Sequence, residues 1–222
     1  MNCESGYMGP EGGLTDLAKS EEFLKTVAEE LVKRPHLLKK LVEAAIGAAL
    51  ATDVFEVIRK RRSVRNFQDK EIPMEKILKV LDAARWAPSA KNSQPWDFIV
   101  VRDPEKKRKL AEMAPFGKFI ERAPVLIVVV TDPKKSPTHI IDGACAVENM
   151  FLAAQALGLG TCWVDIFDQR RAKELLSIPE HKYILTVVPL GYPAGEPARS
   201  TRKPLEECVH LEEFGKRLAN PK

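Results

Sequence analysis

The stretch Ile140–Leu157 constrains this chain more than any other segment. Placed on a helix it is apolar on almost every side, and a helix of that kind is buried on most of its surface. It therefore predicts a central helix around which the rest must be built. Glu148 is its odd charge. That carboxylate either reaches an interface or pairs with an arginine, and the sequence leaves both open. Around the helix lie short β-branched runs of strand length, Phe98–Val101, Val125–Thr131, Thr161–Val164 and Ile184–Pro189. Asp53, with Glu56 three residues later, starts a helix through Lys60. Pro73 suits the first turn of another, in which Ile77, Leu78, Leu81 and Ala84 share a face and which stops before Pro88. Helices and strands in alternation allow α/β or α+β, and the sequence does not order the strands.

At 222 residues the chain has room for one domain of ordinary size with an appendage. The appendage is the first stretch, 1–50. Its Gly-rich start gives way to helical spacing of Leu24, Val27, Ala28 and Leu31, then, beyond Pro35, of Leu37, Leu38, Leu41, Val42, Ala45 and Ile46. The main domain is expected over 51–222. A net charge of +4 is too small to argue for nucleic acid. No apolar run reaches the length of a membrane span, and the start lacks the pattern of a secretory signal. Cys3, Cys145, Cys162 and Cys208 are scattered without a C-x-x-C pair, which fits a reducing cytoplasm.

Four segments carry chemistry. Arg59-Lys60-Arg61-Arg62-Ser63-Val64-Arg65 packs five cations into seven positions. Forked guanidinium donors at a helix end suit phosphate oxygens. The segment alone, however, reads as a solvated helix end favoured by the dipole. Ala87-Pro88-Ser89-Ala90-Lys91-Asn92-Ser93-Gln94-Pro95-Trp96 is a proline-bracketed loop dense in hydroxyls and amides, able to read the edge of a polar heterocycle. Leu157-Gly158-Leu159-Gly160-Thr161-Cys162-Trp163 closes the apolar helix and turns tightly into a strand. It lacks the third glycine and the following helix of a dinucleotide fingerprint. Gly191-Tyr192-Pro193 and then Arg199-Ser200-Thr201-Arg202-Lys203-Pro204-Leu205-Glu206-Glu207 supply a second basic turn.

In this order and spacing the segments resemble the FMN-dependent nitroreductase family over residues 53 to 210. The resemblance implies an α+β fold, a central mostly antiparallel sheet flanked by helices, and an interlocked homodimer with FMN at the subunit interface. It implies that Arg61, Arg62 and Ser63 hold the phosphate with Arg202, and that Arg65 lies near the flavin N1/O2 edge, where negative charge gathers on reduction. Pro88, Ser89, Ala90 and Asn92 would reach the flavin from the partner subunit. Cys162, Trp163, Asp165 and Ile166 would lie beside the ring, with a backbone N–H near Asp165 directed at N5. The implied activity is NAD(P)H-driven reduction of electron-poor acceptors such as nitroaromatics or quinones, by two hydride transfers through N5, with no side chain as an essential catalytic acid. Other flavin chemistry on the same cradle (dehalogenation, dehydrogenation, flavin fragmentation) and a non-catalytic flavin-binding role are the alternatives. Ser200 stands where some relatives have Lys, the segment between Val130 and Ile140 is short, and so is the arm after Glu207.

His36, His139, His181 and His210 have no partners at metal spacing, so no metal site is expected. Cys145 and Cys162 read as packed thiols, lacking a resolving cysteine nearby.

Overall fold

The computed structural model describes residues 53–217 except Phe167 and Arg199, together with Lys25, Lys33, Arg34, His36 and Lys39. The helical extension expected over 1–50 otherwise lies outside the described residues. From Val54 onward the chain forms one compact unit.

Its elements are α1 (Val54–Lys60), α2 (Met74–Arg85), β1 (Trp96–Val101), α3 (Pro104–Glu112), β2 (Val125–Thr131), α4 (His139–Ala156), β3 (Gly160–Thr161), α5 (Gln169–Leu176) and β4 (Tyr183–Gly191). Short 3-10 turns occupy Ala90–Asn92, Lys118–Arg122 and Leu205–Glu207. The strands form one sheet in the order β1-β2-β4-β3, with every neighbouring pair antiparallel. This is the α+β arrangement.

β2 explains the layering. All seven of its residues are buried, and successive side chains of a strand point to opposite faces. Leu126, Val128 and Val130 enter one core with Leu110 of α3, Ala172 of α5 and Ile120. Val125, Ile127 and Val129 enter a second core with Ile77 and Val80 of α2 and Ala146, Met150 and Ala154 of α4. A continuous β-branched run is what a strand covered on both faces requires. The register of β2 against β4 shifts between Val129 and Val130.

Two sequence expectations are corrected. The helix over 140–157 is not enclosed on every side. Gly143, Ala146, Val147, Met150, Phe151 and Ala154 of α4 are buried, but Ile140 and Ile141 are 49% and 65% exposed. Nothing among the described residues covers that flank. The strand expected over Thr161–Val164 is only two residues long. Beyond it the ladder is interrupted by Thr186, whose hydroxyl accepts from the Val164 N–H at 3.2 Å and donates to the Val164 carbonyl at 3.0 Å. Val164 then meets Val187 as an isolated bridge.

Helices α3 and α5 were not expected, being short and highly charged. Each begins on an aspartate whose carboxylate accepts a backbone N–H, Asp103 from Lys106 at 2.8 Å and Asp168 from Arg171 at 3.1 Å.

The segment after α1 is laid against the sheet edge. Ser63 bridges Thr161 in parallel, and the Val64 N–H donates to the Thr161 carbonyl at 2.8 Å. Gly160 makes this approach possible, because a Cβ there would lie 2.5 Å from Val64 Cγ2 and be hemmed in by all three carbons of that stiff side chain. Gly160→Ala should therefore destabilise the unit by about 1–3 kcal/mol, the usual cost of overpacking. Denaturant unfolding checks this, and Gly160→Ala combined with Val64→Ala should recover part of the loss.

Candidate active site

The basic segment and the turn after β3 meet at the sheet edge. The main-chain bridge just described places Ser63, Val64 and Arg65 beside Cys162 and Trp163. Two clefts open there. One, of about 270 Å³, is lined by Ser63, Arg65, Asn66 and the loop Gly195–Ala198. The other, of about 170 Å³, is lined by Arg65, Phe116, Phe119, Cys162, Trp163 and Asp165. Arg65 is common to both. Together they reach the lower part of the range of small-molecule sites, roughly 300–1,000 Å³.

Four of the five cations of this segment differ in what they already hold. Arg62 turns back on its own helix end, Nη1 donating to the carbonyls of Arg59 at 2.5 Å and Arg61 at 2.7 Å. This satisfies orphan carbonyls at the end of α1. Arg61 is half-buried, with Nε 3.9 Å from Glu148 Oε1 and its guanidinium over the Phe151 ring at 5.8 Å. Glu148 thus has an arginine partner, although it stays 55% exposed. Arg65 is exposed and has no ion-pair or hydrogen-bond partner among the described residues. A cation left free where two clefts join is available to an anionic or electron-rich ligand. Lys60 is occupied by Glu56 at 2.5 Å.

The floor is apolar with fixed polar points. The Trp163 indole N–H donates to Asp165 Oδ1 at 2.7 Å, which anchors the ring at the cleft. Among the described residues no acceptor is assigned to the Asp165 main-chain N–H. Ile166 is buried behind it. The Cys162 thiol is 3% exposed. Burial pushes its pKa up, against the opposing pull of Arg65, the Ser63 hydroxyl and Arg61. It is a neutral packed thiol, not a nucleophile.

The amide-rich loop stands apart. The Ala90 N–H donates to Asp142 Oδ1 at 3.1 Å, in the first turn of α4. Arg61 meets the same helix at Glu148 and Phe151, roughly 9–14 Å further along at 1.5 Å per residue. Pro88, Ser89, Ala90 and Asn92 thus lie at one end of α4 and the cationic group towards the other. The loop is wound tightly, with positive φ at Lys91 (53°), Asn92 (54°) and Gln94 (44°). Asn tolerates that region, whereas for Lys and Gln it costs roughly 1–2 kcal/mol each. Arg202 meets Ser200 Oγ and the Thr201 carbonyl, both at 3.0 Å, and is tied to none of the other site residues.

Sequence reasoning missed Phe116, Phe119 and the loop 195–198 as cleft walls. No local pattern marked them, because a single exposed phenylalanine such as Phe116 is ordinary on a protein surface. A larger groove of about 580 Å³ runs along α2 past Leu78, Leu81 and Phe98. Its charges pair with one another, Lys79 with Glu75 at 2.7 Å and Arg85 with Asp82 at 2.5 Å.

The class that this geometry defines is an α+β protein with a cationic, aromatic-walled cleft at one edge of an antiparallel sheet. A model described as the nitroreductase family matches residues 58–192. The chain is 42% identical over 176 residues to a protein of Methanothermobacter thermautotrophicus provisionally named an NADH dehydrogenase/NAD(P)H nitroreductase, an overlap of 76% of this chain and 91% of that one. It is 26% identical over 185 residues to the FMN reductase [NAD(P)H] of Bacillus subtilis, covering 73% and 74%. It superposes on the FMN-dependent nitroreductase of Clostridium difficile R20291 with a TM-score of 0.67 at 33% identity, covering 71% of this chain and 98% of that one. The chain belongs to the nitroreductase family.

The state of Cys162 gives a test by alkylation. Cys208 is exposed, Cys145 half-buried and Cys162 buried. Iodoacetamide followed by peptide mass mapping should modify them in that order. A thiol pKa raised on folding adds stability below the unfolded value, near 8.5, and loses it as pH rises. Stability should therefore fall above about pH 8.5, and less steeply in Cys162→Ala.

Proposed function

We propose that this chain is an FMN-dependent NAD(P)H oxidoreductase acting on small electron-poor acceptors such as nitroaromatics or quinones. The observation that carries the reading is Arg65, a free cation shared by two clefts and set beside an indole face and an unengaged main-chain N–H. FMN fits that donor set: a dianionic phosphate, a flat ring, and an edge that becomes electron-rich.

In this reading Arg61, Arg62 and Ser63 hold the phosphate, with Arg202 brought over from its exposed turn. Arg61 and Arg62 each keep N–H groups beyond those already engaged, so neither must abandon its present contacts. Arg65 supports the N1/O2 edge. Cys162, Trp163 and Ile166 form the wall beside the ring, and the Asp165 N–H points to N5. When bound, FMN supplies the acceptance of hydride from NAD(P)H and its delivery to the second substrate. The protein's part is to orient and to place positive charge where negative charge collects. The open cleft admits water, so protons need no dedicated side chain, and the buried Cys162 thiol takes no part.

The active unit is a homodimer in this reading. Within one chain the loop at Pro88, Ser89, Ala90 and Asn92 and the cationic group sit at different levels of α4. Two chains pairing along antiparallel α4 helices bring the loop of one protomer to the cations of the other. The flank that would pair carries exposed Ile141 and half-buried Cys145 and Leu152, with the exposed Glu148 on the same helical stripe. No helix among the described residues is long and apolar enough to cross a membrane.

Purified protein should carry FMN that appears in the supernatant after denaturation, or gain it when FMN is added. Its mass in light scattering should be twice 24.8 kDa. Anaerobic addition of NADH or NADPH should bleach the flavin, and a quinone or nitroaromatic should restore it. Arg65→Ala should keep the fold but lower turnover by about 10²-fold, the scale for loss of one charge-stabilising group. Protein that holds no FMN and gains nothing from it overturns the reading. Bleaching that only a halogenated aromatic reverses, with halide release, would favour the dehalogenating alternative.

A further inference from the structure

Asp142 is a buried carboxylate that no step above uses. It lies in the first turn of α4, 5% exposed. Oδ2 accepts from Ser136 Oγ at 2.6 Å, and Oδ1 accepts the Ala90 N–H at 3.1 Å. The Thr138 hydroxyl stands 3.3–3.4 Å from both oxygens. One side chain thus joins three pieces of chain: the helix start, the turn 132–138 and the loop 88–95. A second tie holds the far end of that loop, where the Asp132 N–H donates to the Pro95 carbonyl at 2.8 Å. The anchor itself is fixed, because Gly143 seats α4 directly on the sheet. A Cβ there would lie 2.7 Å from both Leu185 and Thr131.

The loop so held would not hold itself. Its internal bonds are few: the Gln94 N–H to Ser89 Oγ, the Asn92 N–H to the Ser89 carbonyl and the Ser93 N–H to the Ala90 carbonyl, each at 3.0 Å, and a long one from Gln94 Nε2 to the Asn92 carbonyl at 3.4 Å. Against them stand three residues at positive φ. Strained backbone persists only where its surroundings over-determine it.

We propose that Asp142 is a positioning residue, holding the 88–95 loop in its left-handed conformation so that Ser89, Ala90 and Asn92 are preset for FMN. The role rests on the functional reading only in its last clause; the hold on the loop stands without it. The test compares wild type with Asp142→Ala and the isosteric Asp142→Asn, the second kept in case the first does not fold. Hydrogen exchange by mass spectrometry is followed over 88–95 in protein freed of FMN, alongside α4 and β2 as internal references. Exchange in the loop should accelerate about tenfold in Asp142→Ala and less in Asp142→Asn, with the references unchanged, as expected for losing a bond to a charged group. The Kd for FMN, from fluorescence quenching, should rise about tenfold in the same order. Loop exchange within twofold of wild type, or acceleration shared equally by α4 and β2, overturns the proposal, since Asp142 would then be only a core residue. Faster loop exchange with unchanged FMN affinity overturns the presetting. Wild type that binds no FMN defeats the functional reading instead, and the exchange comparison still decides the hold on the loop.

Discussion

The contact on which the site depends is the one where main chain meets main chain at the sheet edge, the Val64 N–H on the Thr161 carbonyl at 2.8 Å. It exists because Gly160 has no Cβ to keep Val64 away. Through it the end of α1, which on its own would be an ordinary basic helix end, is fixed beside the turn after β3. Arg65, Cys162, Trp163 and Asp165 become neighbours by this one crossing. A buried hydrogen bond between backbone groups is modest in net energy, about 1 kcal/mol, but costly to leave unmade. That asymmetry makes it a sound hinge for placing a functional segment.

β2 gives the crossing something rigid to rest on. Buried on both faces, it separates the core shared with α2 and α4 from the core shared with α3 and α5. The edge that β3 and β4 present is the outcome of that layering. The helix α4 then sets the spacing of everything polar. Asp142 near its beginning, Glu148 near its middle and the glycine turn after its end lie at successive levels along one rigid rod. Ile140 and Ile141 at the start of the same helix stay exposed, and the amide-rich loop lies at a different level from the cations.

Charge is used economically in this arrangement. Arg62 satisfies carbonyls, Arg61 leans on Phe151 and Glu148, and Arg65, at the junction of the two clefts, is left uncommitted among the described residues. Three arginines that look equivalent in the sequence are therefore inequivalent in the fold. The same holds for the cysteines. Cys162 sits within the pull of two arginines, and still burial wins and keeps it a neutral thiol.

By itself the sequence determined the elements with strong periodicity, namely the helix over 140–157, the helix after Pro73 and the β-branched strands, because these patterns follow from local geometry. It determined family membership as well, through its motif segments taken in order. It did not announce α3 and α5, although Asp103-Pro104 and Asp168 are legible caps, since short charged helices have little apolar face to declare them. What only the tertiary structure decided was nearness. It showed that β3 ends after two residues because the Thr186 hydroxyl replaces the ladder, and that Phe116 walls the cleft. It showed also that Asp142 reaches Ala90 across some fifty positions of sequence. Periodicity reports which way a side chain faces. What it faces depends on packing between segments far apart in the chain, and no local pattern encodes that.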